Sequence, residues 1–374
     1  MMTKNLSAEE RAASRKVLVA VIDGSEAHRH QVDQALTSFY RVACYANSND
    51  AIGDLRDTPP CAVLVDQAEP PLGGYEFIKL LRREKLFSDV PVIFTSADDQ
   101  THVHDAAIEC GADAFLAKPY RRSSLIRAIS HQVNKTVERH WEALQPTQRK
   151  ALVGTLEVFN SISDVIDNGE PIAYAKVADA CGPLVEAVGM RQYKGILNGV
   201  RDHDNYSYAH SVGTATLLLL FGYTIGLEDD ELSLLGSGGL LHDVGKMSIP
   251  HEVLNKPGRL TAAEFEVMKT HVPLTLAYLA KCPDIPRNIV TIAAQHHEKL
   301  DGSGYPLGLK GGQLNELARM ASIVDVFGAL TDRRIYKPPM DAEHALAIMT
   351  NEMATQLDQQ LLSLFRDMLM DSGR

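Results

Sequence analysis

Positive charge, patterned cysteine and long apolar runs are all in short supply in this 374-residue chain. Lys and Arg number 37 against 48 Asp and Glu, a net charge of -11 with His neutral. A general nucleic-acid binder would show a basic face, so that class is excluded. An anionic small molecule is not, because bound metal ions invert the local charge. The five cysteines, Cys44, Cys61, Cys110, Cys181 and Cys282, are scattered and show no CxxC spacing. Free thiols in a reducing cytoplasm are expected, rather than a disulfide framework. The opening MMTKNLSAEERAASRK has no signal-peptide core. The most apolar run, 216–227, is too short to cross a bilayer and contains Gly222 and Tyr223. It reads as a buried helix, and the protein as cytoplasmic without a membrane span. There is no internal repeat, no low-complexity tract and no GxxxxGK, so a nucleotide triphosphatase is not suggested.

What is present falls into two textures. Residues 15–133 alternate short apolar runs (17–22, 41–44, 62–65, 92–95, 114–116) with amphipathic stretches. That pattern predicts a parallel sheet with helices on both faces. Turn signals separate the runs: Pro59-Pro60, Pro70-Pro71, Gly73-Gly74, Gly111 and Pro119. From about Ser123 the texture becomes helical. One helix is expected over 121–144, another from Pro146 to about Asp167, and one more over 341–369. A helical connector over 134–159 would then lead into an all-helical domain over 160–374.

In an open parallel sheet, ligands bind at the carboxyl ends of the strands. Asp23 ends the first strand, Asp66 the third, Ser96 follows the fourth and Lys118 the fifth. Two acids, a hydroxyl and a lysine around one crevice suit acyl-phosphate chemistry with Mg²⁺. The segments KVLVAVIDGSE, VLVDQAEPPLGGYEF, PVIFTSA and GADAFLAKPY resemble the receiver domain of two-component response regulators. The resemblance covers 15–133 and implies an α/β doubly wound, flavodoxin-like fold. It makes Asp66 the phosphoacceptor, Ser96 the switch hydroxyl, Phe115 the switch aromatic and Lys118 the phosphate-contacting lysine. A sensor histidine kinase would be the partner. One departure stands out: Gly24 occupies the place of the direct Mg²⁺ ligand, with Glu26 the nearby acid that would compensate. Phosphorylation, and a receiver used only for docking or dimerisation, both stay open.

The second half concentrates histidine. The segment SGGLLHDVGKMSIP sets His242 beside Asp243, with Lys246 four residues on, which places His242 and Lys246 on one helix face. His and Asp suit divalent transition metals, and a carboxylate can bridge two ions. Gly236, Gly238 and Gly239 would let this helix pack closely on a neighbour. A capping-box pattern, Thr261 to Glu264, starts a helix expected to carry His271 in its interior. His296-His297 precede a Gly-rich loop; adjacent histidines point about 100° apart on a helix and serve one cluster most easily at a helix end. Asp325 lies inside an otherwise apolar helix, where a lone carboxylate is costly and needs a partner.

DNYSYAHSV, LLHDVGK, IPHEVLNKPGRLT, HHEKLDGSGYP and SIVDVFGALTDRRIYK resemble, in order and spacing, the HD-GYP branch of the HD phosphohydrolases, which degrades cyclic di-GMP. The resemblance covers roughly 160–360 and implies an all-α HD-type domain. By it, His210, His242, Asp243 and Asp325 hold one metal, and Asp243 bridges to a second held with His271, His296 and His297. Lys246 contacts the scissile phosphate, Arg334 and Lys337 bind the dinucleotide's phosphates, and Gly304-Tyr305-Pro306 is the name-giving loop, bordering the substrate site. Tyr206 stands where some members carry a third-metal glutamate, so two metals are expected. Gly328 replaces a frequent aspartate and is expected to touch no ligand.

The implied activity is a metal-dependent phosphodiesterase cutting cyclic di-GMP to pGpG or GMP under receiver control. Iron or manganese is the family expectation, with zinc or nickel as alternatives; Mg²⁺ belongs to the receiver. The loop implies GGDEF-domain partners, and a homodimer is open. The rival readings are a catalytically weak receptor for cyclic di-GMP or a GGDEF partner, and a hydrolase of another cyclic dinucleotide.

Overall fold

A computed structural model describes residues 18–372 apart from 38, 39, 202, 204, 255, 257 and 333–339. The chain divides into two compact units, one built mainly from the residues up to Thr136 and the other mainly from Val137 onward. Helices longer than one turn are numbered through both.

The first unit holds β1 (Leu18–Ile22), α1 (Glu26–Leu36), β2 (Arg41–Tyr45), α2 (Ser48–Asp57), β3 (Ala62–Asp66), α3 (Gly74–Arg83), β4 (Val92–Ser96), α4 (Thr101–Glu109), β5 (Ala114–Ala117) and the start of α5 (Arg122–His140). The strand order is β2-β1-β3-β4-β5, every pair parallel, as a doubly wound fold requires. Side chains alternate across a strand, so each strand feeds two cores. Ala20, Ile22, Val63, Val65 and Phe94 pack under α2, α3 and α4 residues such as Leu55, Phe77 and Val103. Val19, Val21, Leu64 and Ile93 pack instead with Val32 and Leu36 of α1 and Leu125, Ile126 and Ile129 of α5. Burial on both faces explains why these strands read as unbroken apolar runs. Ser25 caps α1 by accepting from the His28 N–H at 3.3 Å, and Gly111 closes α4 at φ 105°. At Gly74 a Cβ would lie 2.5 Å from the Asp66 carbonyl oxygen, so only glycine lets α3 start against β3.

The second unit is helical: the end of α5, then α6 (Pro146–Asn168), α7 (Tyr174–Gly189), α8 (Tyr193–Val200), α9 (Tyr206–Thr224), α10 (Asp229–Leu241), α11 (Ala262–Lys269), α12 (His271–Leu279), α13 (Arg287–Gln295), α14 (Glu316–Thr331), α15 (Ala342–Asn351) and α16 (Gln359–Ser372). The apolar run over 216–227 supplies the central helix α9, buried on nearly all sides. Helix α10 packs on it through glycine: a Cβ at Gly239 would lie 2.5 Å from Ala215 Cα. Among the described residues, no helix is long and apolar enough to cross a membrane.

Three expected helices are interrupted. Helix α5 stops at His140, and Trp141–Ala143 turns as a 3₁₀ segment, pinned where the Trp141 indole donates to the Gly199 carbonyl at 2.9 Å. The helix expected through His271 breaks at Thr270. Pro273 has no N–H to offer the Lys269 carbonyl, which leaves His271 as the first residue of α12. The stretch 341–369 divides into α15 and α16. Between them the Gln356 carbonyl accepts from the Leu300 N–H at 2.9 Å, and the Asp358 carboxylate accepts from the Gln360 and Leu361 N–H groups that open α16. Phe365 of α16 packs on Phe221 and Phe327, so this helix belongs to its own unit's core.

Candidate metal centre

His210 comes from α9, His242 caps the end of α10, Asp243 follows it, His271 opens α12, His296 caps α13 and Asp325 lies in α14. Their ligand atoms gather in two groups, each within 4.8 Å: His210, His242, Asp243 and Asp325; and Asp243, His271, His296 and His297. Asp243 belongs to both. Its Oδ2 lies 3.1 Å from His242 Nε2 and 3.6 Å from His210 Nε2, and its Oδ1 lies 3.2 Å from His271 Nε2 and 3.7 Å from His296 Nε2. Asp325 Oδ1 is 3.0 Å from His210 Nε2, and its Oδ2 is 3.6 Å from His297 Nδ1.

The far side of each ring shows what these atoms face. The Nδ1–H of His242, His271 and His296 donates to a carbonyl one turn back, that of Gly239, Met268 and Ala293, at 2.8, 2.7 and 3.0 Å. That leaves each Nε2 with a lone pair turned inward. Four buried atoms there have no hydrogen-bond partner: His242 Nε2, Asp243 Oδ1, His271 Nε2 and His296 Nε2. A buried unsatisfied polar atom costs about 1–3 kcal/mol, and facing lone pairs repel. A cation between them removes both penalties, so this donor set fits divalent metal ions.

Without an ion, protons meet part of the same demand. Burial alone would raise the carboxyl of Asp243, but His242 and Lys246 outweigh it and hold it well below the carboxylate range. Burial alone would lower His242, but Asp243 and Asp325 outweigh it and lift it to about 10. Burial pushes His271 down to about 4, and His297 well below its usual value. His242 thus draws positive charge, while His271 and His297 stay neutral.

Three sequence expectations need correction. Lys246 does not share a helix face with His242, because α10 ends at Leu241 and Val244–Ser248 is a 3₁₀ turn. The turn is required at Gly245, where a Cβ would lie 2.1 Å from the His271 carbonyl oxygen. It carries Lys246 back to hydrogen-bond Asp243 Oδ2 instead. His271 is at a helix start and not in an interior. Gly328 does meet a predicted ligand: a Cβ there would sit 3.5 Å from His210 Cε1, ordinary contact.

Around the cluster, Tyr305 packs its ring on His297 with centroids 4.7 Å apart, and its N–H donates to the His297 carbonyl at 3.2 Å. The Gly-rich loop therefore folds back over the histidine pair. At Gly304 a Cβ would lie 2.5 Å from Glu298 Cα. Tyr206 stacks on His210 with centroids 5.7 Å apart. Arg334 and Lys337 lie outside the described residues.

In the first unit, Lys118 Nζ sits between the acids, 2.7 Å from Asp23 Oδ2 and 2.6 Å from Asp66 Oδ2. Ser96 Oγ donates to Gln67 Oε1 at 2.5 Å. Phe115 stacks on Phe94, with centroids 6.1 Å apart. Residues 19–130 match the family described as response regulator receiver domain, and residues 198–361 the family described as HD domain.

The chain carries a receiver domain and an HD domain.

Cyclic di-GMP phosphodiesterase PA4108 of Pseudomonas aeruginosa is 35% identical over 53% of this chain and 48% of its own, so the chain spans about half that relative's length. Cyclic di-GMP phosphodiesterase response regulator RpfG of Xanthomonas campestris is 29% identical over 77% of this chain and 70% of its own. A 3'3'-cGAMP-specific phosphodiesterase 3 of Vibrio cholerae is 32% identical over 44% of this chain and 35% of its own. Among solved structures, an HD-GYP-type protein of Bdellovibrio bacteriovorus, Bd1817, matches with TM-score 0.51 at 19% identity, over 66% of this chain and 81% of that one, and shows the fold. HD domains are metal-dependent, and the His and Asp groups of this chain could hold metal ions.

Two residues escaped the sequence reading. Asp332 Oδ2 accepts from His210 Nδ1 at 3.0 Å, the one cluster imidazole whose Nδ1 is oriented by a carboxylate. Glu298 is buried and accepts the Leu307 and Leu309 N–H groups at 2.6 and 2.9 Å, tying the Gly-rich loop to the histidine pair. An acid placed directly after His296-His297, before a loop rich in unpaired N–H groups, was the available signal for Glu298. No spacing rule marked Asp332.

Proposed function

We propose that this chain hydrolyses cyclic di-GMP at a two-metal centre in its HD domain. The observation that carries it is Asp243, whose two oxygens each face a separate group of inward-turned imidazoles. His210, His242, Asp243 and Asp325 hold one ion; Asp243, His271, His296 and His297 hold the other. A mixed His and Asp set favours iron or manganese over Mg²⁺, with zinc or nickel the next candidates. When bound, the ions supply a nucleophilic water at neutral pH and polarise the phosphoryl group. Lys246, hydrogen-bonded to Asp243, presents its ammonium to a phosphoryl oxygen and steadies charge that develops there. Tyr305, packed over His297, closes one side of the site and meets the substrate. Arg334 and Lys337 take its phosphates. The products are pGpG and, after a second cut, GMP.

The domain limits that go with this reading are 15–133 for the receiver, 134–159 for the connector and 160–374 for the hydrolase. A sensor kinase is the partner that docks on the receiver, whether or not it transfers a phosphoryl group, the Gly304-Tyr305-Pro306 loop is a surface for GGDEF proteins, and the protein works in the cytoplasm. Cyclic dinucleotides with other bases are a second reading, favoured by the Vibrio relative, since phosphate contacts do not read bases.

The test is turnover by anaerobically purified protein with its metal content measured, offered cyclic di-GMP beside 3'3'-cGAMP. Two metals per chain are expected, as the mechanism needs. Cleavage of cyclic di-GMP should vanish in His242→Ala/Asp243→Ala. A full metal complement without turnover of either compound would overturn the enzyme reading in favour of a receptor. Preferential cutting of 3'3'-cGAMP would overturn the substrate.

A further inference from the structure

The receiver pocket has its own charge balance, separate from the HD chemistry. Each carboxylate oxygen of its acid pair already accepts from a protein donor. Asp23 Oδ2 takes Lys118 Nζ at 2.7 Å and His28 Nδ1 at 2.6 Å, and Asp23 Oδ1 takes the Ser25 N–H at 2.7 Å. Asp66 Oδ2 takes Lys118 Nζ at 2.6 Å, and Asp66 Oδ1 takes the Ala68 N–H at 3.0 Å. Burial alone would raise Asp23, but the hydrogen bonds from His28, Lys118 and Ser25 outweigh it and hold the carboxyl at about 2.

Mg²⁺ needs near-octahedral oxygen at about 2.0–2.1 Å, with carboxylates among its direct ligands. The pocket does not supply that set. Gly24 has no side chain to give, and a Cβ there would lie 3.2 Å from Pro70 Cδ. Glu26 is exposed at the start of α1, outside the pocket's hydrogen bonds. Glu69 is buried nearby, its Oε2 accepting the Ser48 N–H at 3.0 Å and its Oε1 without a partner, but it forms no ligand group with Asp23 and Asp66. Among the described residues, the groups of three or more ligand atoms within 4.8 Å include none of Asp23, His28, Asp66 and Glu69.

The same hydrogen bonds extend outward. His28 Nδ1–H donates to Asp23, so its Nε2 accepts from the Tyr120 hydroxyl at 2.7 Å. Tyr120 stands two residues before α5. A continuous chain therefore runs Asp66, Lys118, Asp23, His28, Tyr120, ending where the connector helix begins.

We propose that this receiver is closed to Mg²⁺ and silent to phosphoryl donors, its acid pair held in hydrogen bonds from Lys118 and His28 that continue through Tyr120 toward the start of α5. An ordinary receiver would take the phosphoryl group of acetyl phosphate onto an Asp66 oxygen, breaking the donor's P–O bond and releasing acetate.

The full metal-loaded chain, incubated with Mg²⁺ and acetyl phosphate, tests this by intact mass, with Mg²⁺ titrated calorimetrically in parallel. No adduct and no saturable Mg²⁺ heat are expected from the natural chain. The variant Gly24→Asp/His28→Ala, which restores an acid and frees Asp23, is expected to gain both. An adduct on the natural chain that disappears in Asp66→Ala overturns the proposal. So does a folded double variant, checked by circular dichroism, that stays as silent as the natural chain.

Discussion

At the scale of single residues, the histidines differ in how they are held. Three donate Nδ1–H to backbone carbonyls one turn earlier in the chain, which no side-chain change removes. His210 depends on Asp332, a partly exposed side chain beside the segment that carries Arg334 and Lys337. Loss of such an orienting partner typically costs 10–100-fold in metal affinity or activity, so about tenfold or more is expected for Asp332→Ala. Metal retention during dialysis against a graded chelator measures it; unchanged retention would assign Asp332 to the surface. His271 gives a pH prediction for the metal-free protein. Its folded value of about 4 lies below the ordinary 6.5 because the neutral ring is buried. Between those values the unfolded chain binds more protons, so stability is complete above pH 6.5 and falls as pH drops toward 4. The loss is on the order of 3 kcal/mol. Urea unfolding of chelated protein across that window should show the slope, and His271→Gln should flatten it.

At the scale of elements, glycine decides where helices touch. Gly239→Ala would drive a methyl group to 2.5 Å from Ala215 Cα, a backbone atom that cannot swing aside. Overpacking of this kind typically costs about 1–3 kcal/mol. Gly213, on α9, has nothing within 4 Å of its Cβ position, so Gly213→Ala should be neutral or stabilising by up to about 1 kcal/mol. Urea midpoints for the two variants should therefore move in opposite directions, and a shared direction would mean that helix propensity, not contact, governs here. The same distinction explains what was legible beforehand. The inner strands β1, β3 and β4 stood out because a parallel sheet buries both faces of them and leaves continuous apolar runs. The ligand segments stood out because His and Asp recur at helix ends and in apolar helices. Helix breaks were less visible. Pro273 ends the α11 ladder by withholding an N–H from the Lys269 carbonyl, a local cause that the sequence displays. The gap before α16 instead depends on a partner distant in sequence, Gln356 receiving the Leu300 N–H. Lys246 was misplaced for a related reason: Gly245 must pass the His271 carbonyl, and that contact is invisible in a helical wheel.

At the scale of the molecule, one chain carries two acidic centres with opposite solutions to their charge. The receiver pocket satisfies its acids internally, through hydrogen bonds from Lys118 and His28. The HD cluster leaves buried lone pairs facing each other and depends on a cation from outside. Metal removal should therefore act on one unit only. A ligand that binds the folded state stabilises it by RT ln(1 + [L]/Kd), about 2.7 kcal/mol at a hundredfold excess over Kd. Its loss also leaves the unsatisfied imidazoles to repel or to take up protons. Calorimetric scans of the intact chain, with and without a strong chelator, should show a downward shift of the transition that includes α9, α10 and α14. The transition of the five-stranded unit should stay in place, with or without Mg²⁺. Assignment is direct, because Gly239→Ala lowers the first and Gly74→Ala, which meets the Asp66 carbonyl, lowers the second. A receiver transition that rises with Mg²⁺ would show that the pocket accepts the ion after all. An HD transition indifferent to the chelator would mean that the buried histidines are satisfied by protons, and the two-metal reading would fall with it.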